Sequence, residues 1–329
     1  MTSLVTGGAG FIGSHVIDEL VRRGHSVVAL DDLSGGFREN VNENAIFVEG
    51  SVLDRTLIQS LFTNHRFDYI FHLAAYAAEG LSHFIKRFNY ENNLIGSVNL
   101  INAAVNHEIK CFVFTSSIAV YGKGQLPMHE DLIPQPEDSY GIAKLAVERE
   151  LAVTHEMFGL KYIVFRPHNV YGERQNIGDK YRNVAGIFMN QILQGKPMTV
   201  FGDGEQTRAF SYIGDVAPVI AGSVDILAAY NQVFNVGADT PCSVNELALK
   251  VAAAMNVKPL LKNLDARNEV VHAYSTHDRA RKVFNLGEPR SLEEGLRRMA
   301  AWIKLVGSRK SSEFKDIEIL KNLPPSWRE

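Results

Sequence analysis

Gly7-Gly8-Ala9-Gly10-Phe11-Ile12-Gly13 is the stretch on which the fold turns. Ahead of it lies a short apolar run, Leu4 to Thr6. Behind it, Ile12, Val16, Ile17 and Leu20 recur at helical spacing as far as Arg23. In such a strand–turn–helix, Gly7 permits the tight turn, Gly10 lets a pyrophosphate approach the backbone, and Gly13 allows the helix to pack closely on the strand. Phe11 and Ile12 open the helix, whose first N–H groups and positive dipole end face the phosphates. The next strand candidate, Val27 to Leu30, ends at Asp31-Asp32. A carboxylate at Asp31 bonds a ribose 2′-hydroxyl and repels a 2′-phosphate, which selects NAD over NADP. Arg38 stands close enough in sequence to keep NADP as the lesser reading. A glycine turn alone is common; strand, helix and acid together give this one its meaning.

Outward from this unit, the short apolar runs continue at Ile46 to Val48, Tyr69 to Leu73, Phe112 to Thr115 and Tyr162 to Arg166. Helical patterns separate them at Arg55 to Phe62, Tyr90 to Val105 and Tyr140 to Phe158. Runs of that kind are buried strands of a parallel sheet, and right-handed crossovers wind helices over both its faces. The reading is an α/β fold: a doubly wound, Rossmann-type sheet over residues 1–166, and a smaller mixed α/β lobe over 167–329. About 208–236 is expected to return to the first domain. In the second half a polar stretch, Tyr171 to Asn183, is long enough to be a functional loop. Helices are expected at Val184 to Gln194, Asp215 to Ala229, Val244 to Met255 and Leu292 to Val306. The polar tail from about Gly307 is expected to be partly ordered at most.

Composition narrows the function. The 34 basic and 37 acidic residues leave a net charge of -3, which argues against nucleic acid as a partner. Two cysteines, Cys111 and Cys242, make no disulfide framework and suit a reducing, cytoplasmic compartment. No apolar run approaches the ~20 residues that span a bilayer, so no membrane is expected. The first residues lack a basic region followed by an apolar stretch, so no secretory leader is expected either. No HExxH, CxxC or carboxylate–histidine cluster implies a metal; His72 and His168 lie inside motifs without a second ligand at metal spacing.

Tyr140-Gly141-Ile142-Ala143-Lys144 sets a phenol and an ammonium four residues apart, on one helix face. A tyrosine titrating near ~10 is a poor base at neutral pH. A nearby lysine cation and a positive nicotinamide favour the phenolate and lower that value. Upstream, Thr115-Ser116-Ser117 ends a strand at the carboxyl edge, where open α/β sheets bind ligands. The Ser117 hydroxyl there can bond the same substrate oxygen as the tyrosine, although a serine in this place also serves as a turn or cap.

Together TGGAGFIGSH, the HLAA segment at His72 to Ala75, SSxxVYG at Ser116 to Gly122, YxxxK, and Arg166-Pro167-His168-Asn169-Val170-Tyr171-Gly172 resemble the extended short-chain dehydrogenase/reductases, in their nucleotide-sugar epimerase branch. The resemblance reaches to about Leu305. It implies a 4-epimerase of the UDP-glucose/UDP-galactose type that oxidises C4 to a ketone and returns the hydride to the other face, with NAD kept bound. Tyr140 would take the 4-hydroxyl proton, Lys144 would hold the nicotinamide ribose, and Ser117 would share the bond to O4. Cofactor contacts would extend to Ser51 and Val52, to Leu73-Ala74-Ala75, and to Asn93 as support behind the site. Asn169, Arg208 and Arg267 would hold the UDP diphosphate, a task suited to guanidinium forks. Tyr274 would limit the space around the sugar. A homodimer through the Tyr90 to Val105 and Tyr140 to Phe158 helices is implied as well.

The chain also departs from the family. Ser51 stands where an aspartate usually contacts adenine, and Ala209 and Val270 replace other common aspartates. Ala77 occupies a place near the nicotinamide where some epimerases carry lysine or serine, and Glu79 follows at the mouth of the site. A UDP-uronic acid 4-epimerase stays open, because Arg174, Lys180 and Arg182 lie in the long loop. The 4,6-dehydratases and decarboxylases usually carry an acid directly after the active-site hydroxyl. Ser117 is followed instead by Ile118-Ala119, which counts against them. A non-catalytic NAD-binding protein would be expected to lack Tyr140 or Lys144.

Overall fold

β1 (Thr2–Thr6), α1 (Phe11–Arg22), β2 (Ser26–Asp31) and β3 (Ile46–Glu49) build the first part of the sheet in a computed structural model. It describes the chain except residues 180, 182, 267–269, 311–313, 315, 325–326 and 328–329. α2 (Arg55–Asn64), capped by the Asp54 side chain, leads to β4 (Tyr69–His72). Then come α3 (Glu79–Ser82) and α4 (Lys86–Tyr90), a π-helical turn (Glu91–Ile95) and α5 (Gly96–Asn106), the last three without a break. β5 (Cys111–Thr115), α6 (Ser139–Phe158) and β6 (Tyr162–Pro167) complete this half. Hence the helix expected from Tyr90 begins earlier and contains an extra residue in one turn.

The second half supplies β7 (Val170–Tyr171), α7 (Val184–Leu193), β8 (Met198–Phe201), β9 (Thr207–Ala209), β10 (Ser211–Tyr212) and α8 (Ile213–Gly222). β11 (Gln232–Val236), β12 (Pro241–Ser243), α9 (Val244–Met255), β13 (Leu261–Leu264), β14 (His272–Ala273), α10 (Asp278–Phe284) and α11 (Leu292–Val306) follow. The helix expected over Asp215 to Ala229 stops at Gly222 and gives way to two 3₁₀ turns. There the Ser223 hydroxyl donates to the Ile220 carbonyl and Tyr230 Oη donates to the Val224 carbonyl, so side chains meet carbonyls that a longer helix would have bonded. The two- to four-residue strands of this half and α10 carry too little periodicity to be read from sequence.

Seven parallel strands lie in the order β11-β6-β5-β4-β1-β2-β3. Chain direction across the sheet reverses between β1 and β4, and such a switch point opens a crevice at the carboxyl ends of the strands. The sheet is covered on both faces, one core joining Val16, Ile17 and Leu20 of α1 to Ile213, Val216 and Ile220 of α8. The other gathers Ile58, Leu61, Leu100 and Leu151. Within residues 213–236, α8 packs on α1 and β11 joins the seven-stranded sheet beside β6. Beyond it stand three small sheets, β12-β9-β14, β8 with β13, and β7 with β10. Among the described residues no helix is long and apolar enough to cross a membrane. After α11, the described residues Phe314, Ile317 and Trp327 join an apolar cluster with Tyr76, Phe84 and Phe88. A few large apolar side chains anchor this otherwise polar stretch.

Candidate active site

The glycine turn is held from below, where the amides of Gly7 and Gly8 donate to Leu30 O at 2.8 and 3.3 Å. Gly7 has φ +71°, and a Cβ there would lie 2.7 Å from the Ala74 nitrogen. At Gly13 a Cβ would lie 2.0 Å from Gly7 O, so only glycine lets α1 start this close to β1. Gly10 is the N-cap of α1 and offers no side chain, which leaves the first turn, with Phe11 and Ile12, presenting bare amides. Asp31 closes β2 with its carboxylate turned back on the turn, accepting from Ala9 N at 3.0 Å and Leu33 N at 2.8 Å. Burial pushes its pKa up, and those amides oppose the shift. Asp32 accepts from Ser34 N. The Arg38 guanidinium lies over the Phe47 ring, 4.5 Å from its centre. Ser51 spends its hydroxyl on Leu53 N at 3.2 Å, and Val52 is buried with its carbonyl held by Asn99.

Across the switch point a polar chain runs beneath the crevice. Thr6 Oγ1 meets His72 Nδ1 at 2.7 Å, and His72 Nε2 meets Ser97 Oγ at 2.8 Å. Burial first, then the Lys144 charge, drives His72 down to about 3, so it stays neutral and structural. Ser97 Oγ donates to Asn93 O, and Asn93 clamps the backbone of Tyr76 from both sides, at 2.8 and 3.1 Å. That clamp fixes Leu73, Ala74 and Ala75, which lie between β4 and Tyr76. Asn93 therefore shapes this edge through the backbone.

Tyr140 sits in the first turn of α6, buried, its amide donating to Ser82 Oγ at 3.2 Å. Lys144 is fully buried; its Nζ donates to Thr115 O at 2.8 Å and lies 5.7 Å from the centre of the Tyr140 ring. Burial lowers its pKa to about 7, against the pull of the Glu148 carboxylate. Glu148 is paired in turn with Arg166 and accepts from Ser116 Oγ. Ser117 follows β5 and caps a 3₁₀ turn by accepting from Ala119 N. Beside it the buried Thr115 Oγ1 has no hydrogen-bond partner, a polar atom at the carboxyl edge ready for a ligand. Sequence reading passed over this hydroxyl, although Thr115-Ser116-Ser117 carried the signal.

In the smaller lobe, Asn169 adopts φ +40° between β6 and β7. Arg208, in β9, donates to the carbonyls of Thr207 and Val271 at 2.9 and 2.8 Å and to that of Val270. Tyr274 follows β14, and its carbonyl accepts from Met128 N. Arg267, Lys180 and Arg182 lie outside the described residues. Arg174 is drawn to α1, pairing with Asp18 at 2.7 Å and donating to Ser14 O, which turns it from the sugar carboxylate considered above. Glu79 opens α3. His168 meets His277 Nε2 to Nε2 at 3.1 Å, and among the described residues no group of three or more metal-ligating side chains forms.

Residues 3–237 match the profile of the NAD dependent epimerase/dehydratase family. The chain belongs to this family. It is 32% identical over 306 residues to a putative UDP-glucose 4-epimerase of Methanocaldococcus jannaschii, covering 92% of this chain and 98% of that one. The UDP-glucose 4-epimerase of Thermotoga maritima, solved with UDP-glucose, superposes with a TM-score of 0.88 at 36% identity, over 93% of this chain and 99% of that one. The Thermus thermophilus UDP-glucose 4-epimerase, solved with NAD, gives 0.84 at 29%, over 92% and 99%. Each relative is thus spanned almost end to end by a little over nine-tenths of this chain. As a member of the family this protein is an enzyme of the nucleotide-sugar epimerase/dehydratase kind, and its cofactor is NAD. The cradle fits that group: a turn that only glycine can make, a helix start without a side-chain cap, an acid at the end of β2 and an orphaned hydroxyl at β5.

Proposed function

We propose that this protein is a UDP-hexose 4-epimerase of the UDP-glucose/UDP-galactose type. The observation that carries the reading is the buried Lys144 ammonium beside Tyr140 on α6, at the carboxyl end of β5 and next to Ser117. Gly7, Gly10, Gly13 and the first turn of α1 hold the cofactor's pyrophosphate, Asp31 its ribose, and Lys144 with Thr115 its nicotinamide end. Bound there, NAD supplies a reversible two-electron acceptor at C4, so the reaction has no net redox and the cofactor need not leave. Tyr140 takes the proton from the 4-hydroxyl and gives it back to O4. Lys144 favours the phenolate by its charge. Ser117 donates to O4 and keeps it beside Tyr140 while the sugar presents its other face. Asn169, Arg208 and Arg267 anchor the diphosphate, so the sugar can turn while the nucleotide stays fixed, and Tyr274 limits the room around it. Ile95, Ile142, Val153 and Met157, exposed on two neighbouring helices, support a homodimer through those faces. Unpaired cysteines support a cytoplasmic enzyme.

Proton NMR in D2O tests the reaction, with UDP-glucose, UDP-galactose, their N-acetyl forms and UDP-glucuronate offered in turn. The expected result is interconversion of the two neutral hexoses with C4–H retained and no deuterium gained. Turnover of UDP-glucuronate alone would make the protein a uronate epimerase. Deuterium at C5, or loss of water or carbon dioxide, would move it to the dehydratase or decarboxylase branch.

A further inference from the structure

The described residues of the segment after α11 pack on the two helices, α3 and α4, that meet the start of α6. Phe314 lies edge-on to Phe88, with ring centres 4.9 Å apart, and near Tyr76 at 5.4 Å. Trp327 stands edge-on to Phe84 and to Tyr181, and a Cβ on Gly80 would come within 3.3 Å of its ring. The Glu318 carboxylate accepts from the amides of Arg87 and Phe88, both at 2.9 Å, at the start of the helical run 86–106. The amides of Glu318 and Ile319 both donate to Phe84 O. Backbone, carboxylate and rings thus pin the chain from Gly80 to Phe88.

On their far side α3 and α4 meet the first turn of α6. Ser82 Oγ accepts from Tyr140 N, and Asn89, wholly buried, donates to Ser139 O at 2.8 Å. Asn93 in turn donates to Asn89 Oδ1 at 2.7 Å. A helix of four residues such as α3 has no stability of its own in water and persists only through tertiary contacts, and the first turn of the run 86–106 frays unless something holds it. We propose that this segment is a built-in brace: through Ser82 and Asn89, Glu318 and Trp327 act as positioning residues for the helix turn that carries Tyr140. The inference rests on Tyr140 being the acid/base proposed above. A misplacement of ~1 Å at a reacting group can cost on the order of 100-fold in rate, so looseness in this turn would be felt in kcat. The diphosphate-binding residues lie in the other lobe, so KM would be spared.

The test compares the full chain with a variant ending after Lys310 and with Glu318→Ala, Glu318→Gln and Trp327→Ala. Amide hydrogen exchange over residues 80–93 and 138–144 is read together with steady-state kinetics. For the shortened variant, exchange at Tyr140 and Gly141 should rise and kcat fall, each about tenfold, while KM stays within about twofold. Glu318→Gln keeps one acceptor oxygen and should fall between wild type and Glu318→Ala. A peptide of residues 311–329 added in trans should restore protection at 138–144. If the shortened chain does not fold, the point variants carry the comparison. Faster exchange at 80–93 with 138–144 and kcat unchanged would overturn the brace, leaving the segment a mere cover. Exchange needs no turnover, so a wild type inactive on every sugar offered would refute the proposed reaction while the protection pattern still decides the brace.

Discussion

The cradle around the glycine turn and the surroundings of Arg208 are built in different ways. In the first, backbone amides and single buried partners fix each group: Gly7 and Gly8 on Leu30, Asp31 on Ala9, Thr6 on His72. All of it rests on adjoining strands of one parallel sheet. In the second, a three-stranded sheet joins residues 207–209, 241–243 and 272–273, and Arg208 leans on carbonyls that belong partly to the approach to β14. The difference teaches a division of labour. The proposed cofactor cradle stands on the parallel sheet, whereas the proposed recognition of the nucleotide sugar hangs on short strands drawn from distant parts of the chain. Such a plan lets the substrate change without disturbing the chemistry.

The sharpest way to break that comparison is to remove the phenol. Tyr140→Phe should lower kcat by about 1000-fold, within the range for a lost general acid–base, with KM and the melting temperature held. A variant retaining most of its activity would place the base elsewhere. Next, Arg208→Ala should raise KM for the nucleotide sugar by roughly 10- to 100-fold, the worth of a charge-assisted hydrogen bond, with kcat nearly unchanged. An equal fall in kcat, measured over a full substrate range, would mean that the two regions do not work separately.

Lys144 sharpens the comparison from the side of stability. Its folded pKa of about 7 lies below the ordinary 10.5, so between those values the unfolded chain holds a proton that the folded chain lacks. Stability from this group therefore rises with pH across that window, and it is lowest where the buried ammonium stays charged. Lys144→Met should flatten this slope and raise the melting temperature near pH 6 by about 2–5 °C, while activity is lost. Calorimetry from pH 6 to 10 checks both; parallel curves would show that the lysine is solvated. The smallest effect is expected at Ser51. Ser51→Asp should tighten NAD by roughly 3- to 10-fold, about the net worth of one ordinary hydrogen bond, in a titration followed by protein fluorescence.

What sequence could reveal follows the same divide. The glycines, Asp31 and the Tyr140–Lys144 pair are local patterns, and a local pattern survives without knowledge of packing. Ser82, Asn89 and Asn93 do their work across the fold; Asn89 and Ser139 are 50 residues apart, and nothing in either neighbourhood announces the bond. Strands as short as β9 and β14 have no readable alternation, so the sheet under Arg208 was invisible. Arg174 had the right chemistry for a carboxylate, but Asp18 claims it, a partner 156 positions earlier. The packed segment after α11 was hidden by its polarity, since its large apolar side chains are scattered singly or in pairs among charged ones and follow no helical or strand period.

The π-helical turn at Glu91–Ile95 imposes a rule of another kind. One residue fewer there would let the run from Lys86 to Asn106 close as an ordinary α-helix. It would also rotate everything before the turn by about 100° relative to everything after it. Asn89 would swing away from Ser139 while Ser97 stayed under His72. In this stretch the count of residues is thus as binding as their identity: a single-codon deletion, tolerable in most exposed helices, would act here as a twist applied to the site.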